Sequence, residues 1–147
     1  MKTILVPVDG SECSDRAIDQ AIELVQFYQG KLVLLHVIDD ESFFIFSDYP
    51  SAPINFEAIE ILRQRMQVAA AEILKRAKDR CAVLGDRVEI VSQEGHPVDK
   101  IVEYANQDEI DMIVMGSHGR RGFRHSYLGS TTHKVAANTA KPLMIIH

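Results

Sequence analysis

Residues 111 to 134 carry the sequence DMIVMGSHGRRGFRHSYLGSTTHK, in which a short apolar run leads directly into a glycine-rich stretch. The part from 116 onward holds four glycines and three arginines, and it has no carboxylate. The apolar run is typical of a buried strand, and the GSTT segment at 129–132 is typical of a helix start. We therefore interpret this stretch as a strand, a loop and a helix in direct succession.

Four further apolar runs surround this unit, at residues 2–8, 31–38, 87–93 and 142–147, and segments of helical periodicity lie between them. Strands that alternate with helices predict a parallel α/β sheet. The run at 87–93 mixes apolar with polar residues and is therefore expected at an edge. Right-handed crossovers then favour a five-stranded open sheet in the order 3-2-1-4-5 with helices on both faces, a Rossmann-like fold.

The composition limits the class of protein. With 147 residues the chain is expected to form one domain, spanning 1–147, and with 46% hydrophobic residues and a net charge of -5 it is expected to be globular. A general basic excess is absent, which argues against nucleic-acid binding. No apolar run is long enough for a signal or a membrane span, so we expect a cytoplasmic protein. Neither cysteine fits a metal-binding spacing, and Cys81 falls in the apolar register of a helix.

The sheet order predicts where a ligand binds. Open sheets of this kind bind ligands outside the carboxyl ends of the strands where the winding direction reverses, here between strands 1 and 4. Those ends carry PVDGS (7–11) and MGSHG (115–119). Glycines let a backbone approach an anion closely, a helix start offers unpaired N–H groups, and Arg120 adds charge. The stretch therefore predicts a phosphate cradle, with a solvated loop and an ordinary N-cap at Ser130 as the alternative.

The glycine spacing is specific. It follows G-x2-G-x9-G-[ST], at Gly116, Gly119, Gly129 and Ser130, and fits neither a Walker loop nor a dinucleotide fingerprint. Together with VPVDGS (6–11) and LLHVID (34–39), this pattern closely resembles the universal stress protein family over essentially the whole chain.

That resemblance implies an adenine-nucleotide-binding domain that forms a homodimer through its last strand, residues 142–147. It implies ATP as the ligand, with AMP or ADP as alternatives. Because a carboxylate would repel phosphates, Asp9 is expected either to face the adenine or ribose end or to hold a divalent ion such as Mg²⁺ between itself and the phosphates. The residues similar to the family's triphosphate clamp are Gly116, Gly119, Gly129, Ser130 and Thr131. The residues similar to its adenosine contacts are Pro7, Asp9, Val37 and Met115.

Three functions are compatible with these features. The leading hypothesis is a nucleotide-dependent regulatory module of a stress response that acts on an unknown protein partner. A second is a slow ATPase or a phosphoryl or adenylyl transferase that uses Asp9 or His118. A third is a nucleotide-independent scaffold or chaperone that acts through the aromatic segment 39–53. For Asp9, a purely structural role at a helix N-terminus stays open as well.

Overall fold

The computed structural model describes residues 1–44, 55–119 and 128–147. Five strands form one sheet, namely β1 Thr3–Pro7, β2 Lys31–Asp39, β3 Val88–Gly95, β4 Met112–Gly116 and β5 Leu143–Ile146. Their spatial order is β3-β2-β1-β4-β5, and all neighbours are parallel. The predicted fold is confirmed, including the position of the polar third strand at an edge.

Helices connect the strands. They are α1 Glu12–Tyr28, α2 Glu41–Phe44, α3 Phe56–Arg80, α4 Pro97–Ala105 and α5 Ser130–Asn138, with a 3-10 segment at Ala82–Arg87 before β3. Helix α1 begins where the Ser11 hydroxyl accepts the Ser14 N–H at 3.2 Å, which satisfies one of the donors at the helix start. No helix of the described ranges is long and apolar enough to cross a membrane.

Helices cover both faces of the sheet, so successive strand residues enter two different apolar clusters. On one face, Ile4, Val6 and Leu34 pack with residues of α1 and α3. On the other face, Leu5 and Val33, together with Met115, pack with residues of α4 and α5. Both faces of a parallel sheet are normally buried in this way, and each fully buried large aliphatic side chain contributes about 1.5–3 kcal/mol.

Cys81 and Phe43 lie in the interior. Cys81 is 1% exposed within the cluster under α1 and α3, as its helical register predicts. Phe43 is 4% exposed and packs with Ile38 and Ala70. This aromatic residue therefore belongs to the domain core. The remainder of the aromatic segment, residues 45–54, lies outside the described residues.

Candidate functional site

The carboxyl ends of β1 and β4 lie side by side, because these strands pair with Leu5 opposite Ile113. From these two ends the chain turns to opposite faces of the sheet: α1 packs in one apolar cluster, and α5 in the other through Val135. In doubly wound sheets the point where the direction of winding reverses defines the crevice that binds ligands, and in this protein it lies between the ends of β1 and β4.

The turn after β1 holds Asp9 in a fixed position. Its Oδ1 accepts the Ser11 N–H at 2.9 Å, while its own N–H approaches the Ser14 hydroxyl at 3.4 Å. Its Oδ2 lies toward the loop after β4, because a Cβ built on Gly119 would be 2.7 Å from this oxygen. Asp9 thus serves the start of α1 with one oxygen and presents the other to the loop.

Gly116 allows α1 to lie directly against the end of β4. A Cβ at this position would be 2.7 Å from the Cβ of Cys13 and 2.9 Å from its carbonyl carbon, both closer than real Cβ atoms come. Cys13 is in the first turn of α1. This glycine therefore makes room for the protein itself.

Two buried residues close the base of the loop between β4 and α5. The Ser117 carbonyl accepts the Gly129 N–H at 2.6 Å, and the Thr132 hydroxyl donates to the Gly116 carbonyl at 2.8 Å. Ser117 is 1% exposed and Thr132 is 3% exposed. Neither side chain was predicted to close the loop, although Thr132 lies one helical turn before the buried Val135, a spacing that indicates a shared face of the helix.

The start of α5 offers amide hydrogens that lack helical acceptors. Gly129 is the N-cap and has no side chain to accept them, and the helix makes its bond from the His133 N–H to the Gly129 carbonyl at 2.9 Å. The N–H groups of Ser130, Thr131 and Thr132 therefore have no acceptor within the helix. Ser130 is the first helical residue, so the alternative in which it is the N-cap is wrong.

The glycines of the motif supply space and do not adopt a left-handed backbone. Gly129 has a φ of -58°, whereas the described glycines with positive φ are Gly10, Gly85 and Gly95. A Cβ on Gly129 would lie 3.1 Å from the Ser117 carbonyl oxygen, 3.4 Å from the Cα of His118 and 3.9 Å from the amide nitrogen of Gly119. The start of α5 is therefore in contact with the start of the loop.

Among the expected adenosine contacts, Val37 and Met115 belong to one apolar cluster on the α4 and α5 side of the sheet. Met115 is buried and Val37 is half-buried, and the half-buried Pro7 ends the intervening strand. Strand position thus brings these residues to the same edge as Asp9. The predicted contact Arg120 lies outside the described residues, as do Arg121, Arg124 and His125.

Two histidines lie at the edge of the crevice. Nδ1 of His36 is 2.7 Å from the Val8 carbonyl oxygen, and because a carbonyl only accepts, this nitrogen carries the hydrogen. His36 is thus a half-buried residue whose ring N–H is satisfied by a backbone carbonyl. Nδ1 of His118 lies 2.9 Å from the Ser117 hydroxyl. In the described ranges no three His, Cys, Asp or Glu side chains form a group that could hold a metal ion.

Fold and site together define an α/β protein with a doubly wound sheet and a glycine-rich loop at the reversal point. The model of the universal stress protein family matches residues 1–147. Universal stress protein YxiE of Bacillus subtilis is 30% identical over 143 residues, which cover 97% of each protein. The chain belongs to the universal stress protein family.

Two solved structures have a similar fold over almost the whole chain. The protein MJ0577 of Methanocaldococcus jannaschii superposes with a TM-score of 0.83 at 27% identity, covering 99% of this chain and 94% of that chain. A universal stress protein crystallised in complex with cAMP has a TM-score of 0.70 at 26% identity, covering 99% of this chain and 96% of that chain.

Proposed function

We propose that this protein binds an adenine nucleotide between the carboxyl ends of β1 and β4, and that the bound form regulates a stress response. The observation that carries the proposal is the contact of Gly129 with Ser117 and His118, which brings the start of α5 to the loop after β4. Amide hydrogens at a helix start attract anions through both their direction and the helix dipole. A phosphate group is the ligand that such an arrangement favours.

Two further observations support an adenine nucleotide as the ligand. The relative that is 26% identical over 99% of this chain was crystallised with cAMP, which contains adenine and a phosphate. In this chain Val37 and Met115 provide apolar surface near the same edge of the sheet. Apolar surface beside anion-binding amides would bind a ligand with a flat apolar ring and a phosphate group.

The position of Asp9 supports ATP accompanied by Mg²⁺. With its Oδ2 oriented toward Gly119, this carboxylate would repel phosphates held by the loop. A divalent cation between the carboxylate and the phosphates would remove that repulsion, and Mg²⁺ commonly binds through one carboxylate plus substrate phosphates. AMP and ADP carry fewer phosphate charges and are the alternative ligands.

Strand β5 supports a homodimer. It is an edge strand, and its four side chains are half-exposed. The carbonyls of Pro142 and Ile146 accept the N–H groups of Ile113 in β4 and of Ser117 directly after it, at 2.9 and 2.7 Å. Because alternate residues of a strand direct their polar groups to opposite sides, Leu143 and Ile145 direct theirs away from β4. A second copy of β5 would satisfy these groups.

Isothermal titration calorimetry with ATP, AMP and adenosine, each with and without Mg²⁺, tests the proposal. We expect saturable binding of ATP, and its dependence on Mg²⁺ is expected to exceed that of AMP. Adenosine should bind most weakly because it has no phosphate for the amides at α5. Absence of binding for all three ligands would remove the proposed function.

A second candidate, a slow ATPase or nucleotidyl transferase, is favoured by one contact. His118 is oriented by the Ser117 hydroxyl and is adjacent to Gly119, so its ring could position water or an acceptor. Incubation of the protein with labelled ATP and Mg²⁺ distinguishes the two. Product formation above the buffer rate that disappears in His118→Ala supports the enzyme, and a rate equal to the buffer control excludes it.

A further inference from the structure

Arg16, in α1, connects this helix to the residue that follows β5. Its Nε donates to the main-chain oxygen of His147 at 3.0 Å, and its Nη2 donates to the Cys13 sulfur at 3.0 Å. Its Nη1 lies 3.9 Å from Oε2 of Glu12, a solvent-exposed ion pair that contributes little to stability. The first two contacts join the start of α1 to the residue that follows β5.

Both ends of this connection border the candidate nucleotide site. Cys13 lies against Gly116, the first glycine of the motif, where there is no room for a Cβ. The residue before His147 is Ile146, whose carbonyl accepts the Ser117 N–H at 2.7 Å. Ser117 in turn bonds Gly129, the N-cap of α5, through its carbonyl. Arg16 therefore completes a closed chain of contacts around the base of the loop.

We propose that Arg16 is a positioning residue of this site: it holds the first turn of α1 and the end of β5 around Gly116 and Ser117. The proposal rests on the nucleotide-binding function proposed above. Arg16 acts through Cys13 and the backbone of β5, and its role differs from that of a charge that attracts phosphate. Its geometry requires the planar fork of a guanidinium, in which Nε and Nη2 point to two different acceptors.

Loss of the Arg16 contacts should mainly affect binding of the phosphate end of the nucleotide. Gly116 and Ser117 lie at the start of the loop between β4 and α5. Gly129, the N-cap of α5, is hydrogen-bonded to Ser117, so the amides at the helix start lie close to these residues. A shift of these residues would move the amides proposed to contact phosphates, whereas Val37 lies on β2, which is separated from β4 by β1. Loss of Arg16 should therefore weaken ATP more than AMP.

Two substitutions distinguish a positioning role of Arg16 from an effect of its charge alone. Arg16→Gln removes both the charge and the fork, and Arg16→Lys keeps the charge but loses the fork. We expect each to raise the Kd for ATP by about fivefold, at the lower end of typical coupling between sites, with a smaller change for AMP. Glu12→Gln is the control, since it removes the weakest of the three Arg16 contacts and should leave both affinities unchanged.

Calorimetric titrations of the wild type and the three variants, with thermal melting of each, test this proposal. If Arg16→Lys binds ATP as tightly as the wild type, charge alone suffices and the inference is overturned. Equal losses for ATP and AMP would also overturn it, because they indicate a general structural defect. Should Arg16→Gln unfold, the ATP-to-AMP ratio in Arg16→Lys decides by itself. A wild type that binds no nucleotide defeats the proposed function and this inference together, whereas normal binding by both variants defeats the inference alone.

Discussion

Gly119 and Asp9 are in contact across the crevice: a Cβ on Gly119 would lie 2.7 Å from Oδ2 of Asp9, a distance that real Cβ atoms essentially never show. Rotation of the carboxylate would distort the hydrogen bond in which its other oxygen accepts the Ser11 N–H at 2.9 Å. The two loops that follow β1 and β4 therefore constrain one another.

This contact predicts non-additive effects of mutation. Gly119→Ala should lower the free energy of unfolding by about 1 kcal/mol, since the new methyl group displaces a fixed carboxylate. In an Asp9→Ala background the same substitution should cost much less, giving a coupling of at least about 0.5 kcal/mol between the two positions. Chemical denaturation of the wild type, both single variants and the double variant measures this coupling. Additive changes would show that the side chains do not meet.

Most of the fold follows from the sequence because the signals are local. Apolar runs and helical periodicity predict the strands and helices, and the polar third run predicts the edge position of β3, which the structure shows. The crevice follows in turn from the strand order, so the approximate location of Asp9 and of the glycine motif is predictable.

The roles of individual residues are less predictable because they depend on contacts between distant segments. Gly116 belongs to the motif, but only the structure shows that Cys13 occupies the space beside it. Ser117 and Thr132 look like ordinary loop and helix residues, yet both are buried and hydrogen-bonded at the base of the loop. No periodicity indicates that Arg16 reaches His147, a residue 131 positions away.

The two cysteines should react at very different rates. Burial raises the pKa of the Cys81 thiol to about 11, with a smaller opposing effect from Arg80, so the reactive thiolate is scarce at neutral pH. Cys13 is partly exposed. We expect one rapidly alkylated thiol per chain at pH 8, identified by peptide mapping as Cys13, and a second that reacts only on unfolding. Rapid labelling of Cys81 in the native protein would contradict its core position.

An ion pair between α1 and α3 should make a small, pH-dependent contribution to stability. Arg80 donates to both oxygens of Asp19, at 2.6 and 2.7 Å, and this hydrogen bonding holds the pKa of Asp19 below its ordinary value of 3.8. The stabilisation is therefore complete above the unfolded pKa and is lost as pH falls through the lower, folded one.

Replacement of Arg80 measures that contribution together with the weaker pairing of Arg80 with Asp15, whose Oδ2 is 3.8 Å away. Because the two side chains are 41% and 51% exposed, solvent screens the pair, and Arg80→Ala should cost no more than about 1 kcal/mol at pH 7. The difference in unfolding free energy between wild type and variant should shrink as the pH is lowered below about 4. A difference in unfolding free energy that increases as the pH falls would contradict a stabilising role of this ion pair.

The free edge of β5 provides a test of dimer formation. Ile145→Pro removes an N–H group that points away from β4, and proline is tolerated at edge positions. We expect the variant to be a folded monomer while Ile145→Val, which retains the N–H group, stays dimeric. Light scattering at micromolar concentration, combined with circular dichroism, makes the comparison. A monomeric wild type would end the dimer proposal.

The central claim is that amide hydrogens at the start of α5 bind the phosphates of a nucleotide, and Ser130→Pro tests it most directly. Proline is favoured at the first helical position, and Gly129 already has the extended backbone (φ -58°, ψ 155°) that precedes proline. The substitution therefore removes an amide hydrogen without removing the helix, whereas Ser130→Ala removes the hydroxyl alone. We predict that calorimetry finds ATP affinity reduced by about tenfold or more in Ser130→Pro, roughly the value of one hydrogen bond to a charged group, with a smaller loss in Ser130→Ala. Equal ATP affinity in the wild type and in a folded Ser130→Pro protein would contradict the claim.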